Sequence, residues 1–454
     1  MIERTPRQRA LLARRRADAG AHWRRFRRSC RRTLTPDRDM TASLPPFLSM
    51  QVERFYRKRM FNHPGKPGHR FWYSLHAMGP GAINLQSNDY LDLTGHPRIR
   101  DAAVAALAQG RRSAVMSQVI LVSQSDDCEQ RRFETRLGEF IGLGSGILCA
   151  SGYDANVGLL QALAPRGSPV YVDQEAHASL YQGIHAAEAT PVRVRHNDTA
   201  DLRDKLAAGG PGIVVVDSVY SVSGSRSPLQ QVFALAEEFG CLIVVDESHA
   251  LGTHGQQGRG LVHALGLTQR VHVVTASLAK AFAARAGFIA CDESLTEYLR
   301  FTAFPTIFST ALLAHELPPL HATLDVVMGE EARRTALWNN TRQAREAITA
   351  AGYDIGNGTE QIIGLRCGPV QSAVRLRDAL EARGVFGSLF WYPATEWRRS
   401  VLRLSINAGM RAGDVARLGE AMRAAQEEVG NVSRSSGGRS SGKRHAQPTL
   451  SSVG

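Results

Sequence analysis

The stretch Cys241-Leu-Ile-Val-Val-Asp246-Glu-Ser-His249 decides how the chain reads. Apolar, mostly β-branched residues run straight into an acid, with no alternation of polar and apolar positions. A strand of that kind has both faces covered, as in a parallel sheet. Three other runs are similarly apolar, Pro169-Val-Tyr-Val172 and Gly212-Ile-Val-Val-Val216, each followed by an acid, and Val271-His-Val-Val-Thr275, which is not. Helix-like segments separate them, among them 199–206 before a Gly-Gly-Pro-Gly turn and 229–239 before Gly240. This alternation predicts an α/β, doubly wound, mostly parallel lobe over residues 100–324. A long helix over 325–352, an apolar run at 362–365, a helix over 372–382 and a strand at 401–404 predict a smaller α+β C-terminal lobe, 325–430. Residues 46–99 read as an N-terminal arm.

The chain has 454 residues, 43% of them hydrophobic, enough for sizeable cores and against wholesale disorder. No apolar run is long enough for a membrane helix, and the N-terminus has no apolar segment of the secretory kind. Six scattered cysteines without a CxxC pair predict reduced thiols in a cytoplasmic protein, with neither a disulfide frame nor a metal site. The net charge of +13 belongs to the ends: residues 1–40 carry +9, residues 431–454 carry +4, and the body is neutral. The expectation is a core not built around phosphate backbones, with no nucleic-acid partner. Residues 1–45 read as a basic, disordered extension and 431–454 as a disordered Ser/Gly-rich tail. The fragment Gly437-x-x-x-x-Gly442-Lys443 lacks the Ser or Thr of a phosphate loop and has no preceding strand, so it carries no meaning.

Asp173, Asp217 and Asp246 each close a strand at its carboxyl edge, where open α/β sheets bind ligands. Helix N-capping is the competing role for Asp173 and Asp217. Only five of the 55 basic side chains are lysine, and four of these lie in polar, Gly/Pro or helical surroundings. Lys280 differs: it ends the small-residue stretch Ala276-Ser-Leu-Ala-Lys280. An amine can attack a carbonyl, which a guanidinium cannot, and small neighbours leave room for a planar group. Pyridoxal 5'-phosphate asks for such a lysine and for a carboxylate that keeps its pyridine nitrogen protonated. Asp246 is placed for the second task, with His249 three residues on able to reach the phenolic oxygen. Ser151-Gly152-Tyr153-Asp154-Ala155-Asn156 opens a helix after Ile147-Leu148-Cys149, as a phosphate cradle requires.

These residues resemble the α-oxoamine synthases, pyridoxal-phosphate enzymes of the aspartate-aminotransferase fold (fold type I) that join an amino acid to an acyl-CoA. The resemblance spans about Asn84 to Gly409. It includes Ser87-Asn88-Asp-Tyr-Leu91, Ser151-Gly-Tyr153, His177-Ala-Ser-Leu180, Asp246-Glu-Ser-His249, Ser277-Leu-Ala-Lys280, Phe308-Ser-Thr310 and Leu402-Arg-Leu404. Within that group the wording of several segments, such as Gln361-Ile-Ile-Gly-Leu365 and Val385-Phe-Gly-Ser388, most resembles the CAI-type synthases of α-hydroxyketone quorum-sensing autoinducers.

The resemblance implies that Lys280 holds the cofactor and moves the Cα proton. It implies that Asp246 pairs with the pyridine nitrogen, His249 with the phenolic oxygen, and His177 with the ring face. Ser221 would touch the phenolic oxygen or the substrate carboxylate. Gly152, Tyr153 and Ser277 would hold the phosphate, with Ser309 or Thr310 reaching in from a second subunit of a homodimer. Arg403 would bind the amino-acid carboxylate, with Asn88 beside it. A loop setting beside a helix N-cap for His177 and a salt-bridged strand setting for Arg403 are the plainer alternatives. The implied reaction is a decarboxylative condensation of a medium- or long-chain acyl-CoA with a small amino acid such as 2-aminobutyrate, or with S-adenosylmethionine. Cys367, Phe386, Phe390 and Trp391 are candidates for the acyl pocket. Two departures stand out: Ser113-Ala-Val-Met-Ser-Gln-Val119 replaces a glycine-rich segment, and Ser277 stands where many relatives have Thr.

Other α-oxoamine synthases, making 8-amino-7-oxononanoate, a glycine-derived ketone or a long-chain base, are the rival reading. A catalytically idle relative, or a protein that binds nucleic acid through its Arg-rich head, is a more distant one.

Overall fold

The computed structural model describes residues 45–59, 62–63, 66–109, 117–118, 128–356 and 358–430. The basic head, the Ser/Gly-rich tail and most of segment 113–119 lie outside the described residues. The chain forms two units, Met1–Phe71 and Trp72–Gly454. The first contains a helix, Pro46–Arg59, and an antiparallel pair, Asn62–His63 with Lys66–Arg70.

The second unit is built on a seven-stranded sheet: β1 (Ser145–Cys149), β2 (Pro169–Asp173), β3 (Thr190–Val194), β4 (Ile213–Asp217), β5 (Leu242–Asp246), β6 (Val273–Ser277) and β7 (Gly287–Cys291). Their order is β1-β7-β6-β5-β4-β2-β3. β7 runs antiparallel to both neighbours, and every other pairing is parallel. The expected mostly parallel α/β sheet is therefore what the chain forms. Successive residues of one strand enter two different cores. Ile213 and Val215 join one buried cluster, and Val214 and Val216 join the other; Val244 and its neighbours Ile243 and Val245 divide in the same way. The unalternating sequence follows from this, since both faces are apolar and each fully buried Val or Ile contributes about 1.5–3 kcal/mol.

One face is covered by α1 (Gly152–Leu163) and α2 (Ala178–Ala186), through Leu159, Leu160, Leu180 and Ile184. The other packs Leu202 and Leu206 of α3 (Thr199–Gly209), Val232 and Phe233 of α4 (Leu229–Glu238), and Leu320 and Leu324 of α5 (Leu317–Gly329).

The single helix expected over 325–352 is two helices, α5 and α6 (Glu331–Ala350), broken at Glu330 with φ −103° and ψ 71°. Gly329 weakens the helix there. The Glu330 carboxylate is engaged by His96 Nε2 at 3.0 Å and Arg333 Nε at 2.7 Å, which anchors the break. The smaller lobe has a three-stranded antiparallel sheet of β8 (Ile362–Gly368), β9 (Ser388–Phe390) and β10 (Ser400–Ser405), ordered β8-β10-β9. It packs on α7 (Val370–Glu381) and α8 (Asp414–Val429) through Ile363, Leu365, Leu376, Leu380, Leu402, Leu404, Leu418 and Met422. Residues 83–90 are laced onto this lobe: Ile83 N donates to Gly384 O, Leu85 N to Phe386 O, and Ala408 N to Tyr90 O, each at 2.8 Å. Asn88 and Tyr90 are thereby carried to the end of the large sheet nearest β10.

Candidate active site

Three strand ends lie in one row, since Cα register pairs Asp217 with Asp246 and Asp246 with Thr275. Asp246 is buried, and both of its carboxylate oxygens accept hydrogen bonds. Asn156 Nδ2 donates to Oδ2 at 2.7 Å, and the Ser248 amide donates to Oδ1 at 2.8 Å. Asn156 lies one turn beyond Gly152 on α1. Its amide also donates to Ser179 Oγ at 2.9 Å and accepts from Thr275 Oγ1 at 2.6 Å, so the group is fully engaged. Asp217 accepts the His177 amide at 3.1 Å. Burial, and then the charge of Asp246, hold its carboxyl well above the usual carboxylate range. Neither Asp173 nor Asp217 caps a helix. Asp173 instead accepts from the amides of Glu175 and Asn197, at 2.8 and 2.9 Å, and meets His196 Nδ1 at 2.9 Å.

Lys280 follows β6 and is half-buried. Burial, then the nearby Arg403 charge, push its ammonium below the ordinary lysine range, while Asp246 acts in the opposite sense. His249 is buried, and burial followed by the Lys280 and Arg403 charges holds it well below the ordinary histidine range. Its Nδ1 is 2.7 Å from Tyr90 Oη, and its carbonyl accepts from Gln361 Nε2 at 2.8 Å. Electrostatic coupling thus ties Lys280, Asp246, His249, His177 and Arg403 into one cluster.

Arg403 projects from β10 and is 6% exposed. Nη1 donates to the Ser221 carbonyl at 2.9 Å, Nη2 donates to Asn88 Oδ1 at 3.1 Å, and the Phe390 ring lies 4.8 Å from the guanidinium carbon. Nε has no hydrogen-bond partner, and among the described residues Arg403 has no acid partner. The salt-bridged strand setting does not hold. A buried cation held only by neutral acceptors is a site for an anion.

Gly152 opens α1 after the N-cap Ser151, whose Oγ accepts from the Asp154 amide at 3.1 Å. A Cβ on Gly152 would lie 2.5 Å from Ser277 Cβ, so β6 and the start of α1 meet where only glycine fits. His177 is itself the N-cap of α2, with Nδ1 accepting from the Ser179 amide at 3.3 Å and 2.7 Å from Ser179 Oγ. It is thus the cap itself and not a loop neighbour of one, and the cap fixes an imidazole that is otherwise exposed. Tyr153 is 47% exposed. Ser309 and Thr310 form a separate group with the described part of segment 113–119: Gln118 N donates to Ser309 O at 2.9 Å, and Ser117 bridges to Thr310. Two of the acyl-pocket candidates are buried, Cys367 at 1% and Phe386 at 3% exposure; Cys367 joins the small-lobe core, whereas on the strand of Phe386 it is the neighbouring Val385 that does so. Phe390 and Trp391 are partly exposed.

An amine on a small-residue turn, a buried carboxylate on the neighbouring strand, a helix start with room only for glycine and an open imidazole fit pyridoxal 5'-phosphate. A family model for class I and II aminotransferases matches residues 80–422. The chain belongs to this family. Among known proteins, a CAI-1 autoinducer synthase of Vibrio campbellii is 41% identical over 379 residues, covering 84% of this chain and 95% of that one. An 8-amino-7-oxononanoate synthase of Geobacter metallireducens is 32% identical over 398 residues, covering 87% and 100%. A solved serine palmitoyltransferase of Sphingomonas wittichii superposes with a TM-score of 0.74 at 26% identity, covering 87% of this chain and 99% of that one. A second, solved with PLP, gives 0.75 at 25%, covering 85% and 98%. The chain is thus an α-oxoamine synthase-type enzyme of fold type I that depends on pyridoxal phosphate, as the sequence resemblance implied. Among the described residues no helix is long and apolar enough to cross a membrane.

Sequence reasoning gave no role to Asn156, Thr275, Tyr90 or Gln361, although all four support the cluster. Asn156 had a readable signal, because it follows Gly152 by four residues and so shares its helix face. Gln361 had none, since its partner is a backbone carbonyl in the other lobe.

Proposed function

We propose that this enzyme condenses a medium- or long-chain acyl-CoA with a small α-amino acid or S-adenosylmethionine to give an α-aminoketone, a precursor of an α-hydroxyketone signal. The observation that carries this reading is the buried Arg403 cation, without an acid partner among the described residues, whose charge acts on the Lys280 amine, as does that of Asp246. Pyridoxal phosphate, when bound, supplies an electron sink for the α-carbon of the amino acid. Gly152, Tyr153 and Ser277 hold its phosphate, His177 covers its ring, and Asp246 keeps a proton on its pyridine nitrogen. Arg403, with Asn88 and Ser221 fixing the guanidinium, orients the substrate carboxylate. Lys280, with its pKa lowered by burial and by Arg403, accepts the α-proton in its neutral form. In the net reaction a bond forms between the α-carbon and the thioester carbonyl carbon, the CoA thiol leaves, and the amino-acid carboxylate departs as CO₂.

The reading is tested by mass spectrometry of products formed from 2-aminobutyrate or S-adenosylmethionine with acyl-CoAs of graded length. Longer chains should be preferred, with about 0.8 kcal/mol for each CH₂ buried. Product with acetyl- or pimeloyl-CoA alone would overturn the signal-precursor reading and leave the family. No ketone from any acyl-CoA would overturn both.

A homodimer with shared sites is part of the proposal. Phe301, Phe304 and Phe308 are 65%, 54% and 68% exposed, and they adjoin Ser309 and Thr310. The Phe304 and Phe308 rings lie 5.6 Å apart, and exposed aromatic surface of this kind favours a protein partner. Sedimentation of the active holoenzyme should give a dimer, and a fully active monomer would overturn the shared site.

A further inference from the structure

Tyr90 is fully buried at the end of Ser87-Asn-Asp-Tyr90, and its surroundings leave its hydroxyl little freedom. The Asp89 carboxylate accepts the Leu93 and Thr94 amides, both at 2.8 Å, and the Thr94 hydroxyl at 2.6 Å. The Tyr90 amide donates to Asn88 O at 2.9 Å, and its carbonyl accepts from Ala408 at 2.8 Å. The loop is thus pinned on both sides of the ring. Tyr90 Oη has two polar neighbours, His249 Nδ1 at 2.7 Å and Asn88 Oδ1 at 3.4 Å.

A phenol has one hydrogen to place. Asn88 Oδ1 already accepts from Arg403 Nη2 and is the more distant of the two. The short contact therefore takes the phenol hydrogen. We propose that Tyr90 is a positioning residue that fixes the tautomer of His249, donating to Nδ1 so that the imidazole hydrogen resides on Nε2. Protonation states agree with this assignment. Burial raises the phenol and lowers the imidazole, and the charges facing the pair, Lys280 and Arg403, keep a second proton off the ring. Among the described residues His249 Nε2 makes no hydrogen bond, so its hydrogen is left for the site. On the proposed reading of the site, that hydrogen is the donor to the phenolic oxygen of the cofactor. Which ring nitrogen carries the proton is set by the bond the other makes.

The test uses cofactor-free protein labelled with ¹⁵N-histidine, with the His249 signals assigned by their loss in His249→Asn. Wild-type protein should show a protonated Nε2 and an unprotonated Nδ1. Tyr90→Phe should shift both ¹⁵N resonances toward tautomer exchange, while circular dichroism stays that of the wild type. In the holoenzyme the same substitution should lower kcat by roughly ten-fold with cofactor occupancy retained. A wild-type ring protonated on Nδ1, or ¹⁵N shifts indifferent to Tyr90→Phe, would overturn the proposal. If Tyr90→Phe fails to fold, the wild-type spectrum alone decides. A fixed Nε2–H tautomer together with unaltered turnover in Tyr90→Phe would uphold the lock and count against the role read for His249.

Discussion

Lys280→Ala protein should be colourless after gel filtration and should lose turnover by about 10³-fold or more, the upper part of what a positioned acid–base group supplies. On the proposed reading two functions reside in one amine: attachment of the cofactor and movement of the α-proton. The wild type should be yellow, and borohydride reduction followed by peptide mapping should place the pyridoxyl label on Lys280. The other described lysines, Lys58, Lys66 and Lys205, cannot substitute. Lys205 donates to Asp201 at 2.6 Å on a helix away from the carboxyl edge, and Lys58 and Lys66 lie outside the family match at 80–422. A Lys280→Ala protein that still takes up a reducible label would overturn the assignment.

Asp246→Asn is expected to keep the cofactor and lose at least about 10²-fold in turnover. Both carboxylate oxygens are acceptors, one for Asn156 Nδ2 and one for the Ser248 amide. An asparagine there must aim its own NH₂ at one of those donors, so it loses a bond as well as a charge. The proposed phosphate cradle at Gly152 and Ser277 is untouched by this change, so occupancy measured by absorbance should hold while kcat falls. Turnover within a factor of about ten of wild type, or roughly 1.4 kcal/mol of barrier, would contradict the role given to Asp246.

Most of the large sheet was legible because its chemistry is local. Ile213–Val216 and Leu242–Val245 are apolar at successive positions, and the acids that close these strands stand in the sequence as written. The antiparallel β7 was not legible. Gly287-Phe-Ile-Ala-Cys291 has the same composition as a parallel strand, and only its pairing with β1 and β6 sets its direction. The break at Glu330 was hidden for a similar reason, because His96, 234 residues away, anchors the carboxylate that holds it. Within the site, Lys280, Asp246 and His249 were readable as residue types with few other uses. Tyr90 was not, since a tyrosine in a core cluster looks the same whether or not its hydroxyl meets a histidine.

The seam between the two lobes has a different character from either core. Across it Arg226 and His254 reach Glu360 at 2.8 and 2.6 Å, Gln361 reaches the His249 carbonyl, and Arg403 reaches the Ser221 carbonyl. Burial opposes ionisation of Glu360, but His254, Thr359 and Arg226 overcome it and hold its carboxyl down to about 2. The contribution of that carboxylate is present above the ordinary glutamate range and fades only as pH falls through the folded value. Parting the lobes at these points would exchange internal hydrogen bonds for bonds to water and would also uncover Ile362, which belongs to the large-sheet core. The joint therefore has an acid-sensitive fastening: protonating Glu360 would loosen it, whereas salt, which screens buried pairs weakly, would leave it shut, and Arg403 shares the same seam.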